Sequence, residues 1–307
     1  MVKTLAALLA AAGLACAAAP ASTPTPAVPH GVTAAGVAVG GLSAEPARAA
    51  LEAAFARPLR VGGGGTLDPA RLGLRVDAQS AVSAALGATA GSRIAVPVRW
   101  SKARLDRTVA ALAKRIDRAP VRATVIGAID DRPTYSPARA GVRLDRAATA
   151  AAIARALGDG TRAPVRLVTR PVAPPKPGLA IVVTRGENSL RLYDGKRLVR
   201  TFPVATGQVI YPTPAGIWRI MDKQRDPWWY PPTYDAWAKG LSPVPPGPGN
   251  PLGTRWMGLN APGVGIHGTD EPTSIGYSAS HGCIRMQVPD AEWLFDRVTV
   301  GTPVVIL

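Results

Sequence analysis

Two short stretches near the C-terminus decide how this sequence is interpreted. Residues 266–269 read Ile-His-Gly-Thr, and residues 280–286 read Ser-His-Gly-Cys-Ile-Arg-Met. Together they contain two of the chain's three histidines and one of its two cysteines. A thiol becomes a useful nucleophile when an imidazole takes its proton or pairs with its thiolate. We therefore expect the fold to bring Cys283, as nucleophile, next to His267, as base.

The residues around Cys283 predict supporting roles. Gly282 lets the backbone approach a substrate carbonyl closely, so that its amide and that of Cys283 would stabilise a tetrahedral oxyanion. His281 either lines that oxyanion site or only shapes the loop, and it ranks behind His267 as the base. Ser280 either hydrogen-bonds the histidine pair or forms the turn.

One arginine and two aromatic residues are the candidates for substrate binding. Arg285 would grip a substrate carboxylate bidentately, or else it forms an ion pair that supports the loop. Residues 226–237 are aromatic and Pro-rich, and Pro243–Pro248 follow, so regular structure is not expected there. This insertion, with Trp229, either forms a lid or binding rim or packs on the sheet. Tyr211 is a further candidate for substrate contact.

The order of these motifs resembles the signature of the YkuD-type L,D-transpeptidase family. In that family a histidine followed by Gly-Thr precedes a Ser-His-Gly-Cys-apolar-Arg block, and the 16 residues from His267 to Cys283 are a common spacing. Residues 205–216 contain the family's turn motifs, and residues 250–256 match the strand before its histidine. The resemblance covers residues 179–307, where short strand patterns predominate, and it implies a mostly β catalytic domain with a YkuD-like β-sandwich.

The resemblance also implies a reaction on peptidoglycan stem peptides. Cys283 would attack the carbonyl of the third stem residue, expel the terminal D-alanine and hold the stem as a thioester. His267, oriented by the backbone carbonyl of Gly268, would accept the thiol proton and later activate the amine of a neighbouring stem, which leaves a 3→3 cross-link. No metal or organic cofactor is expected. Carbapenem β-lactams acylate many such thiols and are expected to be covalent inhibitors.

Two other functions compete with transpeptidation. A hydrolytic L,D-carboxypeptidase would form the same thioester and resolve it with water, and the difference would lie in how well the acceptor pocket excludes water. The third possibility is a wall-binding or spacer protein with an inactive catalytic domain. An intact cysteine–histidine pair counts against this third function.

The N-terminal half contains an internal repeat. Residues 69–77 align with residues 137–145, 68 positions later, and each copy runs through an Ala-rich stretch to Ala-Leu-Gly. Each copy predicts a half-buried strand whose closing Asp caps the following helix. Two small α+β units, over residues 30–100 and 101–170, are the economical explanation.

This repeat region, residues 30–170, loosely resembles the VanW-associated family of peptidoglycan-binding domains. The resemblance includes the Val-Gly-Gly-Leu-Ser opening at residues 39–43 and carries no catalytic motif. The region would therefore bind the wall or act as a spacer. A Pro-rich linker at residues 171–178 would separate it from the catalytic domain, residues 179–307.

The first residues predict export. Lys3, an apolar run and small residues through Ala19 have the layout of a secretory signal peptide, and residues 20–29 form a Pro/Thr-rich tether. The expected location is the periplasm or the cell wall. Cys16 leaves a lipid tether to the membrane open. If cleavage falls after Cys16, Cys283 is the single thiol of the mature chain and an internal disulfide is excluded.

The net charge of +16 lies mostly in the first part of the chain. Of 36 basic and 20 acidic residues, residues 179–307 hold 12 and 10, which leaves 24 and 10 before them. Outside the membrane, such a surface would meet anionic wall polymers or lipid head groups rather than nucleic acid. The alternative is a solvated arginine-rich surface without a partner.

Overall fold

The computed structural model describes residues 26–63, 65–233 and 235–307. The predicted signal peptide, and the predicted tether up to residue 25, lie outside these residues. Two compact units are present: an N-terminal unit that runs to Arg115 and includes Leu144–Val168, and a C-terminal unit of Ile116–Arg143 and Thr169–Leu307. The predicted second repeat, residues 101–170, therefore contributes to both units. Among the described residues, no helix has both the length and the apolarity to cross a bilayer.

The helices are α1 (Ala44–Ala56), α2 (Ala78–Leu86), α3 (Lys102–Ile116), α4 (Arg146–Leu157) and α5 (Val288–Phe295). The strands are β1 (Thr33–Ala34), β2 (Val37–Ala38), β3 (Leu59–Val61), β4 (Gly65–Leu67), β5 (Arg75–Val76), β6 (Arg93–Ile94), β7 (Val98–Arg99), β8 (Val125–Ile129), β9 (Arg132–Tyr135), β10 (Gly141–Leu144), β11 (Thr169–Val172), β12 (Leu179–Thr184), β13 (Ser189–Asp194), β14 (Arg197–Pro203), β15 (Thr206–Gly207), β16 (Gly216–Arg225), β17 (Arg255–Leu259), β18 (Gly265–His267), β19 (Ser278–Ser280), β20 (Ile284–Arg285) and β21 (Pro303–Ile306).

The N-terminal unit is α+β, as predicted. Its short strands frame four helices, and the apolar faces of α1 and α2 pack together in one buried cluster that includes Leu51, Phe55 and Val82. The predicted helix caps are confirmed: Asp77 accepts a hydrogen bond from the Ser80 amide at 2.9 Å, and Asp145 caps α4 in the same way. Such caps satisfy amides that the first helical turn leaves without partners.

The C-terminal unit is mostly β, as predicted. Eight strands form one sheet in the order β14-β13-β12-β21-β16-β17-β18-β20. The β12–β21 and β18–β20 pairs are parallel and the others are antiparallel. A two-stranded sheet of β15 and β19 lies beside it. β11 pairs with β10, so the first residues of the predicted linker belong to a strand.

The two faces of the eight-stranded sheet differ in what covers them. One face packs against α5 in the main core cluster, which includes Ile181, Ile220, Met257 and Leu294; we call it the α5 face. At the β13-β12-β21 part of the opposite face, Val125 and Ala128 of the β8–β9 hairpin pack against Val182, Tyr193 and Val305.

The hairpin is held on the sheet by polar contacts as well. The Tyr135 hydroxyl donates to the Gly195 carbonyl oxygen at 2.7 Å, and the Arg191 guanidinium lies 3.1 Å from the Asp131 carboxylate.

Candidate active site

Neighbouring parallel strands hold the two predicted catalytic residues. β18 and β20 pair with His267 opposite Arg285, and continuing this register by one residue places Cys283 opposite Gly265. Alternate side chains of a strand point to the same face of the sheet. Because Ile266 is buried on the α5 face, His267 and Cys283 both project from the opposite face, one strand apart.

His267 is buried and has a defined backbone partner. Its Nδ1 lies 2.5 Å from the carbonyl oxygen of Gly268, the group that the resemblance implies as the third member of the site. Because a carbonyl can only accept, this contact requires the proton on Nδ1 and leaves Nε2 unprotonated. Burial lowers the pKa of His267 to about 4, the hydrogen bond with Gly268 opposes this shift, and the nearby charge of Arg285 adds to it.

Cys283 is partly exposed and lies against the turn between β17 and β18. Its thiol donates to the Gly263 carbonyl oxygen at 3.5 Å. Burial raises the pKa of the Cys283 thiol, while a hydrogen bond with the Gly265 backbone and the charge of Arg285 oppose that rise. With the imidazole pKa lowered and the thiol pKa raised, both groups are neutral near pH 7, a state in which an imidazole can take a thiol proton as a general base.

Ser280 and Gly282 form the turn that presents the thiol. The buried Ser280 hydroxyl donates to the Cys283 carbonyl oxygen at 2.5 Å and accepts from the Gly282 amide at 3.2 Å. Of the two predicted roles for Ser280, these contacts favour turn formation. Gly282 has a φ of +110°, a conformation that side-chain-bearing residues rarely adopt. Its amide already has a partner, so stabilising an oxyanion would require exchange of that hydrogen bond.

Arg285 forms an ion pair in this structure. Its Nη1 lies 2.7 Å from a carboxylate oxygen of Glu271, and its side chain is 16% exposed against 64% for Glu271. This contact matches the supporting role that the sequence left open. The positive charge of Arg285 also acts on the site, where it lowers the pKa of His267, His281 and Cys283.

The aromatic insertion reaches the site through Trp237 rather than Trp229. Trp237 stacks on His281 with ring centroids 4.0 Å apart, and Tyr211 lies on the same imidazole at 5.1 Å. Trp229 instead pairs through its backbone with Val244. The insertion therefore contacts the site through the stacking of Trp237 on His281, two residues before Cys283.

A buried amide organises this insertion. The Asn250 side chain donates to the carbonyl oxygens of Pro227 at 2.9 Å and Pro245 at 3.0 Å, and accepts from the Leu252 amide at 2.8 Å. These bonds join both ends of a segment whose prolines prevent regular hydrogen bonding. They fix the path of the chain that leads to Trp237.

Trp256 was not predicted as a site residue, and it lies on the same face of the sheet as His267. It lies opposite His267 on β17, with ring centroids 5.8 Å apart. A Cβ atom built on Gly258 or Gly265 would overlap the Trp256 indole, so these two strand glycines make room for it. Glycine inside a strand marks such a close approach, and the two glycines were the signal that could have found this residue.

The fold and the site define a mostly β protein that carries a cysteine and a histidine on one face of its sheet. Residues 178–306 match the family model YkuD, described as "L,D-transpeptidase catalytic domain", and residues 65–166 match one described as "Putative peptidoglycan binding domain". The "Putative L,D-transpeptidase YqjB" of Bacillus subtilis is 33% identical over 131 residues, which cover 41% of this chain and 69% of that relative. The chain belongs to the L,D-transpeptidase family.

Other relatives and solved structures are consistent in name. The "Putative L,D-transpeptidase YkuD" of Bacillus licheniformis is 37% identical over 41% of this chain, and the alignment spans 64% of that relative, less than two thirds. The crystal structure of an Enterococcus faecium L,D-transpeptidase is 17% identical, covers 84% of this chain and 98% of its own, and has a TM-score of 0.39. That of LdtMt1 in complex with imipenem is 18% identical, covers 70% and 89%, and has a TM-score of 0.37.

Proposed function

We propose that the chain is a peptidoglycan L,D-transpeptidase that forms 3→3 cross-links through a thioester on Cys283. The observation that carries the proposal is that His267 of β18 and Cys283, directly before the neighbouring strand β20, lie on one face of the sheet. The hydrogen bond from His267 to the Gly268 carbonyl supports it, because that bond leaves the second ring nitrogen free to accept a proton.

In the first half-reaction Cys283 is the nucleophile. Its sulfur attacks the carbonyl carbon of the third residue of a donor stem while its proton passes to Nε2 of His267. The tetrahedral intermediate collapses as His267 returns this proton to the nitrogen of the departing D-alanine. A thioester between Cys283 and the shortened stem remains.

In the second half-reaction an amine of a neighbouring stem replaces the sulfur. His267 takes a proton from the attacking amine, a new amide bond forms, and the thiol leaves with that proton restored to it. The Cys283 amide is the candidate donor to the developing oxyanion, with Gly282 as a second donor if it releases Ser280. Trp237, stacked on His281, and Tyr211, tilted against the same imidazole, would form the rim that limits the entry of water.

The remaining assignments follow the same proposal. The chain would be exported to the periplasm or cell wall, where the N-terminal unit binds peptidoglycan or anionic wall polymers. The strained carbonyl of a carbapenem would acylate Cys283 as a stem carbonyl does. Tyr211 and Trp237 are better placed than Trp229 for contact with a stem.

The test is incubation of the chain, without residues 1–19, with isolated peptidoglycan, followed by mass spectrometry of the muropeptides. Transpeptidation predicts 3→3 cross-linked dimers and a stem adduct on Cys283, both absent from the Cys283→Ala variant. Tripeptides without cross-links would establish the carboxypeptidase instead. Unchanged muropeptides from folded protein, or dimers that persist in the alanine variant, would overturn the proposal.

A further inference from the structure

The sheet face that carries Cys283 continues to a cavity of about 730 Å³ within the C-terminal unit. Its walls come from the start of β16, from the loop before β21 and from residues 122–125 of the chain segment that leads into the β8–β9 hairpin. Asn260, at the end of β17, lines it too, and its side chain accepts from the Arg219 amide at 2.7 Å.

The cavity lies on the same face and at the same end of the sheet as the nucleophile. Trp218 and Ile220 of β16 face the core, so the alternation along the strand directs Ile217 and Arg219 to the opposite face. At this end β17 finishes and β18 and β20 begin. The turn after Asn260 supplies the Gly263 carbonyl that contacts the Cys283 thiol.

The separation suits an extended peptide. From β16 to β20 the order is β16-β17-β18-β20, three strand spacings, which amounts to about 14 Å at roughly 4.8 Å per spacing. In register, Cys283 is level with Gly265, Gly258 and Asp222, so Arg219 lies three residues, or about 10 Å, further along β16. The two offsets combine to about 17 Å, which an extended chain spans with about five residues at about 3.3 Å per residue.

Arginines border the cavity without acidic neighbours. Arg122, Arg219 and Arg297 line it, and no Asp or Glu is among its lining residues in the described part of the chain. By contrast, Arg200 and Arg285 of the same unit each have a carboxylate within 2.8 Å. A planar guanidinium without such a partner can bind an incoming carboxylate through two parallel hydrogen bonds.

Apolar surface accompanies this charge. Ile217 and Val300, which both line the cavity, are 50% and 59% exposed. A ligand with a carboxylate and an aliphatic or peptide backbone would bury this surface, which a small inorganic anion would leave in water. The lining therefore fits a charged peptide.

We propose that this cavity is a second substrate subsite, in which Arg122 and Arg219 bind the carboxylate of an extended peptide arm continuous with the carbonyl attacked by Cys283. The inference rests on the proposed function for the nature of that peptide. A phosphodiester wall polymer offers matching charge, but it does not account for a cavity within about five residues' reach of the thiol on the same face of the sheet.

The test measures binding without turnover, on the chain carrying Cys283→Ala. The probe is a disaccharide-tetrapeptide released from peptidoglycan, used with free carboxylates and after their amidation. The paired variant Arg122→Gln/Arg219→Gln is compared with Arg132→Gln/Arg143→Gln, which removes the same charge from the same unit at exposed arginines that do not line the cavity.

The paired cavity variant is expected to bind the free-carboxylate probe about tenfold more weakly and the amidated probe unchanged, because only the former loses a charge-assisted hydrogen bond. The control variant should match the parent for both probes. Equal affinity of the two variants, or equal loss for both probes, would overturn the subsite. The subsite would also be overturned if the paired cavity variant lost affinity only for a glycerol-phosphate polymer, because the cavity would then be a binding site for that polymer. Because no turnover is involved, failure of the transpeptidase proposal would appear only in the muropeptide assay.

Discussion

The two faces of β17, β18 and β20 put consecutive residues to opposite uses. On the α5 face, Met257, Ile266 and Ile284 are fully buried in the main core. One position away, Trp256 and His267 lie on the opposite face. A strand's period of two makes this possible, since it sends neighbours in sequence to different environments.

This difference means that adjacent residues of one strand serve different purposes: one stabilises the fold and the next belongs to the candidate active site. The α5 face holds the strands in register through apolar burial, and that register sets the distance between the thiol and the imidazole. The opposite face carries polar groups, strand glycines and partly exposed side chains, which contribute little burial of apolar surface. A change on one face should therefore move activity and a change on the other should move stability.

The largest expected effect is the loss of the base on the opposite face. Replacing His267 with Gln keeps a side chain of similar size but leaves no group to accept the thiol proton at neutral pH. We expect the rate at which a carbapenem adds its mass to Cys283, followed by mass spectrometry, to fall by about 10² to 10⁴.

The matched control is His281→Gln, which removes the other imidazole of the motif. His281 is exposed, stacks on Trp237 and meets the Tyr211 ring at a tilt, so its loss should slow acylation by less than about tenfold. If the two variants acylate equally slowly, His267 is not the base, and the opposite face does not carry the catalytic base that the comparison assigns to it.

On the α5 face the effect should be on stability. Met257→Ala removes a side chain with no solvent exposure, and the resulting cavity should cost about 2 to 5 kcal/mol of the free energy of unfolding. Six of the seven tryptophans, all but Trp100, belong to the C-terminal unit, so tryptophan fluorescence in urea reports mainly on this sheet.

The folded Met257→Ala protein should acylate at close to the parent rate. Its control is Met221→Ala, at a methionine that is 52% exposed and should cost little when truncated. A folded Met257→Ala protein that has lost acylation would show that the two faces are coupled through the position of β17.

Much of the fold and of the candidate site could be predicted from the sequence, and the features that could not be predicted share a physical cause. The thiol, the imidazole and the capping Asp77 and Asp145 are local features, since motif spacing and cap chemistry act within a few residues. The fold class followed from strand patterns and Ala-rich helices. The partners of Arg285 and His281 did not follow, because Glu271, Trp237 and Tyr211 reach them through loops.

The sequence repeat also did not predict which of the two units residues 116–143 pack in, because that depends on tertiary contacts. Both copies form the predicted capped helix, but residues 116–143, which include the start of the second copy, pack in the C-terminal unit. The unit in which this segment packs depends on which apolar surface is available to it, and Val125 and Ala128 pack on β12, β13 and β21. Periodicity within a segment does not contain that information.

The smallest of the three expected effects is a pH dependence of stability that comes from His267. His267 has a pKa of about 4 in the folded chain against an ordinary 6.5, so between these values the unfolded chain binds a proton that the folded chain does not. The free energy of unfolding should therefore be unaffected by this group above about pH 6.5 and should fall by about 3 kcal/mol as the pH decreases to 4. The measurement is urea unfolding at pH 7, 5.5 and 4.5 for the parent and for His267→Gln, which cannot take up this proton. Carboxylates titrate in both proteins, so the difference between the two curves isolates the imidazole. Parallel curves would mean that folding does not lower the pKa of His267.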